Sequence, residues 1–183
     1  MIGEIPKFPG VKNFNSLTIL LIFFFVIGCK KDLPIETQSG TDTFGCYVNG
    51  KLFIPKGSPF AGPILKAQYS IQNNKPIFSI SATMADGENR HAVSIVGDSI
   101  KLAVGTYAIA TPKAGSVSGH YNFPDPLAPQ GSYTSTNIQA GQLTIKHYDS
   151  IKYVISGTFY FDAVNNNGQK VEVREGRFDV KLY

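Results

Sequence analysis

The sequence predicts an all-β fold over residues 43–183, an antiparallel β-sandwich or flattened β-barrel of about eight to ten strands. Three observations predict it. No stretch after Asp42 keeps a 3.6-residue apolar period long enough for a helix. Short runs of alternating apolar and polar residues recur instead, and Gly, Asn and Pro break them. Finally, Asn49-Gly50, Asn73-Asn74 and Asn165-Asn166-Asn167-Gly168 sit between such runs, where a hairpin needs residues that tolerate positive backbone angles.

The first hairpin is FGCYVNGKLFIP, turning at Asn49-Gly50. Pairing across that turn puts Phe44, Cys46, Val48 and Phe53 on one face and Tyr47, Leu52 and Ile54 on the other. Both faces are apolar, which predicts a hairpin well inside the fold. A second hairpin joins residues 67–72 to 76–84 through Asn73-Asn74-Lys75, and further strands are expected at 91–96, 100–109 and 141–148. Residues 111–132 hold Pro112, Pro124, Pro126, Pro129 and several glycines, and are expected as a long irregular loop. In YVISGTFYFDA the residues Tyr153, Ile155, Phe159 and Phe161 share a face, and Ser156-Gly157 marks a close backbone approach. Val171 and Val173 return on odd numbers, but after Glu175-Gly176 the apolar residues are even: Phe178, Val180, Leu182. A one-residue change of parity at a glycine predicts a β-bulge there.

Ahead of the β-domain the chain has a different character. Residues 1–16 are polar and carry Lys7 and Lys12, and residues 17–28 read LTILLIFFFVIG. That apolar run is shorter than the ~20 residues a spanning helix needs, and it fits the hydrophobic region of a secretory signal. It ends in Gly28-Cys29. Val26-Ile27-Gly28-Cys29 resembles the lipobox of bacterial lipoproteins, which implies cleavage between Gly28 and Cys29 and acylation of the Cys29 sulfur. Residues 1–28 are then a signal peptide, and 29–42, with no apolar periodicity, a lipidated cysteine followed by a flexible tether. Lys30 after the cysteine is compatible with outer-membrane sorting, on either its periplasmic or its outer face. With Cys29 acylated, Cys46 is left without a disulfide partner and is expected as a small buried apolar residue.

FGCYVNGKLFIP, LTIKHYD at 143–149 and the segment ISGTFYFDAVNNNGQKVEVREGRFDVKLY together resemble a family of uncharacterised Bacteroidota lipoproteins, a domain of unknown function. The resemblance covers both ends of the β-domain better than its middle. It implies fold and compartment, and no catalytic residue.

Four constellations bear on chemistry. His91, His120 and His147 are too far apart in sequence for a readable zinc site. GSVSGH has Val117 where a nucleophile elbow needs serine. DAVNNNG fails the calcium-loop register, because Ala163 and Arg174 fall on ligand positions. Asp149, Asp162, Glu172, Glu175 and Asp179 alternate with core residues beside Lys170, Arg174, Arg177 and Lys181, which predicts a charge-paired solvent face. No metal, cofactor or catalytic residue is assigned.

The net charge is +4, and it falls to +3 once Lys7, Lys12 and Glu4 leave with residues 1–28. It forms no basic stripe, which argues against a nucleic-acid partner. The expected protein is a membrane-anchored envelope lipoprotein carrying a non-catalytic module for a glycan, a peptide or an envelope protein. It is expected to bind through the 111–132 loop and neighbouring turns, with Tyr121 and Tyr133, in or beside that loop, as candidate ligand contacts. A surface hydrolase of glycans or esters and a structural envelope component are the alternatives.

Overall fold

The computed structural model describes residues 33–57, 64–86, 89–123, 131–138 and 141–183. Gly28, Cys29 and the rest of the signal segment lie outside the described residues. No helix occurs among the described residues, and the domain is built from antiparallel strands as the sequence predicts. There are eleven: β1 (Thr43–Val48), β2 (Lys51–Phe53), β3 (Leu65–Gln72), β4 (Lys75–Asp86), β5 (Asn89–Asp98), β6 (Gly105–Ala108), β7 (Ser116–Asn122), β8 (Ser132–Ser135), β9 (Gly141–Asp149), β10 (Val154–Val164) and β11 (Lys170–Lys181). The strands not placed from the sequence are β7, inside the stretch expected as a loop, and β8, whose four residues are too short to show alternation; the strand expected at 100–109 is confined to Gly105–Ala108.

The main path runs β2-β1-β11-β10-β8-β7-β5-β4-β3, with β9 also on β10 and β6 on β9. Its ends approach each other. Tyr69 N–H donates to the Tyr183 carbonyl at 3.4 Å and Tyr183 N–H to Ala67 at 3.1 Å. Lys56 N–H donates to Thr83 at 3.1 Å, and Ala85 N–H to Lys56 at 2.6 Å. Such a nearly closed sheet is in keeping with a sandwich or flattened barrel.

The turn chemistry works as the residues dictate. Asn49 and Gly50 both have positive φ (48° and 75°), as do Asn73 and Asn74 (51° and 61°), matching the type I′ requirement. The bulge falls where the parity changes. Phe159 pairs with Gly176 and Phe161 with Val173, and Glu175 between them has φ 52°. Phe44, Phe53, Phe159, Phe161 and Phe178 form one aromatic core, with Phe44 and Phe159 centroids 5.3 Å apart. The first hairpin is only half interior, since Tyr47, Leu52 and Ile54 are partly exposed and β2 ends the path.

Three further expectations are corrected. Residues 111–132 are not one irregular loop: Ser116–Asn122 is β7, paired with β5 on one side and β8 on the other. Its glycine is there for packing. A Cβ on Gly119 would come 2.6 Å from the Phe161 ring, so only a bare backbone lets that ring lie flat on the strand.

The second correction concerns residues 33–42, expected as part of a flexible tether. They form a strap across the outer face of the sheet. Leu33 is buried, and Pro34 lies over Gly45, where an added Cβ would stand 2.6 Å from Pro34 Cδ. The far end of the strap is tied to Asp179 of β11, whose carboxylate accepts hydrogen bonds from the Thr37 hydroxyl and from the N–H groups of Ser39 (3.1 Å) and Gly40 (2.8 Å). The Thr41 hydroxyl also donates, at 3.2 Å. Asp179 is therefore no member of a solvated charge-paired face; it is 1 % exposed. Burial alone would raise its pKa. The hydrogen bonds from Thr37, Gly40, Ser39 and Thr41 outweigh that and hold the carboxyl below its ordinary value.

Ser156, paired with Asp179, is buried beside it, and its hydroxyl has no hydrogen-bond partner among the described residues. A buried hydroxyl without a partner costs about 1–3 kcal/mol. Ser156→Ala is therefore expected to hold or raise the melting temperature in a thermal scan, where most buried-site truncations would lower it.

Candidate functional site

On the outer face of β9, β10 and β11 the side chains stand in two rungs. Thr144, Thr158 and Arg177 make one; Gln142, Tyr160 and the bulge at Arg174–Glu175 make the next. Successive rungs are about 7 Å apart and the strands about 5 Å apart. Tyr160 has the opposite parity to Phe159 and Phe161, so it faces out and is 39 % exposed while they are buried.

Walls turn this face into a groove of about 510 Å³ lined by Glu36, Gln142, Thr144, Thr158, Tyr160 and the Arg174–Arg177 stretch. The strap is one wall. Its Glu36 is fixed by Lys146 at 2.5 Å and by Arg177 at 3.8 Å. The bulge is the other. Arg174 is locked there by Asp162, by Glu172 at 3.7 Å and by the carbonyls of Phe161 (3.1 Å) and Val173 (2.9 Å). Lys170 bridges the same two acids, at 3.5 Å from Asp162 and 2.5 Å from Glu172. These acids do form a charge-paired face, as alternation with basic residues predicts. The groove floor is thus rigid strand, and both walls are pinned by charge.

Tyr121 and Tyr133 do not line this groove. They are cross-strand neighbours on β7 and β8, with ring centroids 5.8 Å apart. Both are half-buried and packed against the core. His91 Nδ1 lies 2.6 Å from the Tyr121 hydroxyl, and the His91 ring is 4.6 Å from that of Phe123. Burial, then the neighbouring Tyr133, raises the Tyr121 pKa. The structure brings the two tyrosines together as one aromatic cluster, packed against the core and apart from the groove.

The histidines, the GSVSGH segment and Cys46 are placed as follows. Ser118 Oγ is 3.0 Å from His120 Nε2, the reach of a nucleophile–base pair. However, Ser118 is 4 % exposed, and its strand setting lacks the elbow's strand-to-helix turn. Burial lowers the His120 pKa. Among the described residues no cluster of three or more His, Cys, Asp or Glu is placed to hold a metal ion. Cys46 is a free, fully buried thiol whose pKa burial pushes up, so it behaves as a core residue.

Residues 69–180, more than half of the chain, match a family described as a domain of unknown function (DUF6252). The chain belongs to that family. The matched stretch holds the groove floor and the bulge, whereas the strap and β1 precede it. No curated protein and no solved structure matches the chain.

The groove was not singled out by sequence reasoning, although one signal pointed to it. Tyr160 is an aromatic on the polar face of a strand whose other aromatics all point in.

Proposed function

We propose that the protein is an envelope lipoprotein, cleaved after Gly28 and anchored through an acylated Cys29, whose β-domain is a non-catalytic module that captures a glycan, peptide or protein partner in the groove. The anchor reading is supported by the apolar run at 17–28, its basic flank and the Gly28-Cys29 junction. Outer-membrane placement is supported by Lys30 after the cysteine. The observation that carries the binding half is the strap. A segment with no periodicity of its own is clamped onto the sheet, and there it turns an exposed tyrosine and its polar neighbours into a walled site.

The hydrolase alternative rests on Asp162 and Glu172, which face each other across β10 and β11. Both are already held by Lys170 and Arg174. That pairing suits a wall better than an acid and base poised at a scissile bond.

In cells, Cys29→Ala is expected to move the protein from the carbonate-resistant membrane fraction to the soluble fraction. Retention of the variant in membranes contradicts the lipid anchor. Two or more acyl chains hold where one does not, at about 0.8 kcal/mol per buried methylene, so the change is expected to be near complete.

A further inference from the structure

We infer that the ligand of this groove is a neutral oligosaccharide stacked on Tyr160, an inference that rests on the binding-module reading above. The floor offers what a sugar ring needs and a peptide does not. A pyranose presents a patch of C–H bonds on one face and a rim of hydroxyls that both donate and accept. Tyr160 supplies an exposed aromatic face. Around it, on the same face of the sheet, stand groups that donate and accept: the Gln142 amide and the Thr144 and Thr158 hydroxyls.

Charge chooses between kinds of glycan. The lining carries two carboxylates, Glu36 and Glu175, and two guanidinium groups, Arg174 and Arg177. Arg174 spends its donors on Asp162, Glu172 and two backbone carbonyls, and Arg177 leans on Glu36. Arg174 is thus already committed, Arg177 stands beside the opposing charge of Glu36, and the two carboxylates would repel a uronate or sulfate. A balanced rim selects an uncharged ligand.

Size agrees. A floor three strands wide and two rungs long measures about 10 Å by 7 Å. A volume of about 510 Å³ lies within the usual range for a small-molecule site, and it takes a short oligosaccharide. It has no ladder of open backbone N–H and C=O groups for a peptide strand, because β10 is paired on both edges.

The test is calorimetric titration of the purified full chain, in detergent, with neutral hexasaccharides (malto-, cello- and xylo-), with trigalacturonate, and with an unstructured peptide pool. Each is run at about 0.05 M and about 0.5 M salt. The inference expects a neutral hexasaccharide to bind with little salt dependence. Affinity should fall about tenfold in Tyr160→Ala and largely recover in Tyr160→Phe, with the melting temperature unchanged in both. Binding of trigalacturonate alone, or of peptide alone, lost in Tyr160→Ala, overturns the neutral-sugar inference and leaves the module reading standing. Neutral binding that is indifferent to Tyr160 overturns the stacking site. Absence of binding to every probe overturns both.

Discussion

Asp179→Asn is expected to destabilise the domain by about 2–4 kcal/mol and to loosen the strap, because a buried carboxylate that accepts five hydrogen bonds is replaced by an amide. Ser39 and Gly40 donate to different carboxylate oxygens, so whichever of the two the amide NH₂ replaces, one backbone N–H is left facing a donor. Urea titration measures the loss, and hydrogen exchange at residues 39–41 shows where it falls: those amides should lose protection before the core strands do. The pH dependence has a defined sign. The folded pKa of Asp179 is depressed, so its stabilisation is complete above the unfolded value of about 3.9 and is lost as pH falls through the folded value. The gap between wild type and Asp179→Asn should be constant near neutral pH and close in acid. A gap that keeps its neutral-pH size all the way down the acid limb to acid unfolding would mean the carboxylate charge is not what holds the strap.

Gly157→Ala is expected to cost still more, about 3 kcal/mol or above, and to lower expression. An ideal Cβ at Gly157 would stand 2.1 Å from the Thr144 carbonyl oxygen and 3.0 Å from Phe178 Cζ. The clash is with backbone, in a strand paired on both edges, so no side chain can swing away to relieve it. Overpacking a tight core typically costs 1–3 kcal/mol even when side chains yield. The effect reaches the groove, because Thr144 is on its floor and pairs with Thr158. A melting temperature within a degree or two of wild type would show that the sheet repacks around the methyl group.

What the sequence made legible was whatever is local. Asn49-Gly50, Asn73-Asn74 and the parity change at Glu175-Gly176 each fix backbone angles within a few residues, and all three appear where expected. Gly157 was also legible as a close approach. What stayed hidden depends on partners far along the chain. β7 reads as a Gly/Ser loop until Phe161 is placed over Gly119, 42 positions away in sequence. The strap reads as a tether because its tie is Asp179, 138–142 residues on. Asp179 in turn reads as a solvent-facing acid because nothing in β11 announces that a strap covers it. Tyr121 and Tyr133, expected as ligand contacts of a loop, stand on adjacent strands, half-buried and packed against the core, because β7 and β8 occupy that stretch. The groove residue with an available signal was Tyr160, whose parity alone places it outside.

Amide shift mapping by NMR of the full chain, titrated with a neutral hexasaccharide, tests the central claim most directly. The strap-walled groove predicts perturbations at Glu36, Gln142, Thr144, Thr158, Tyr160 and Arg174 to Arg177, with the aromatic cluster of His91, Tyr121, Phe123 and Tyr133 unmoved. Shifts confined to that cluster, with the groove silent, would contradict it.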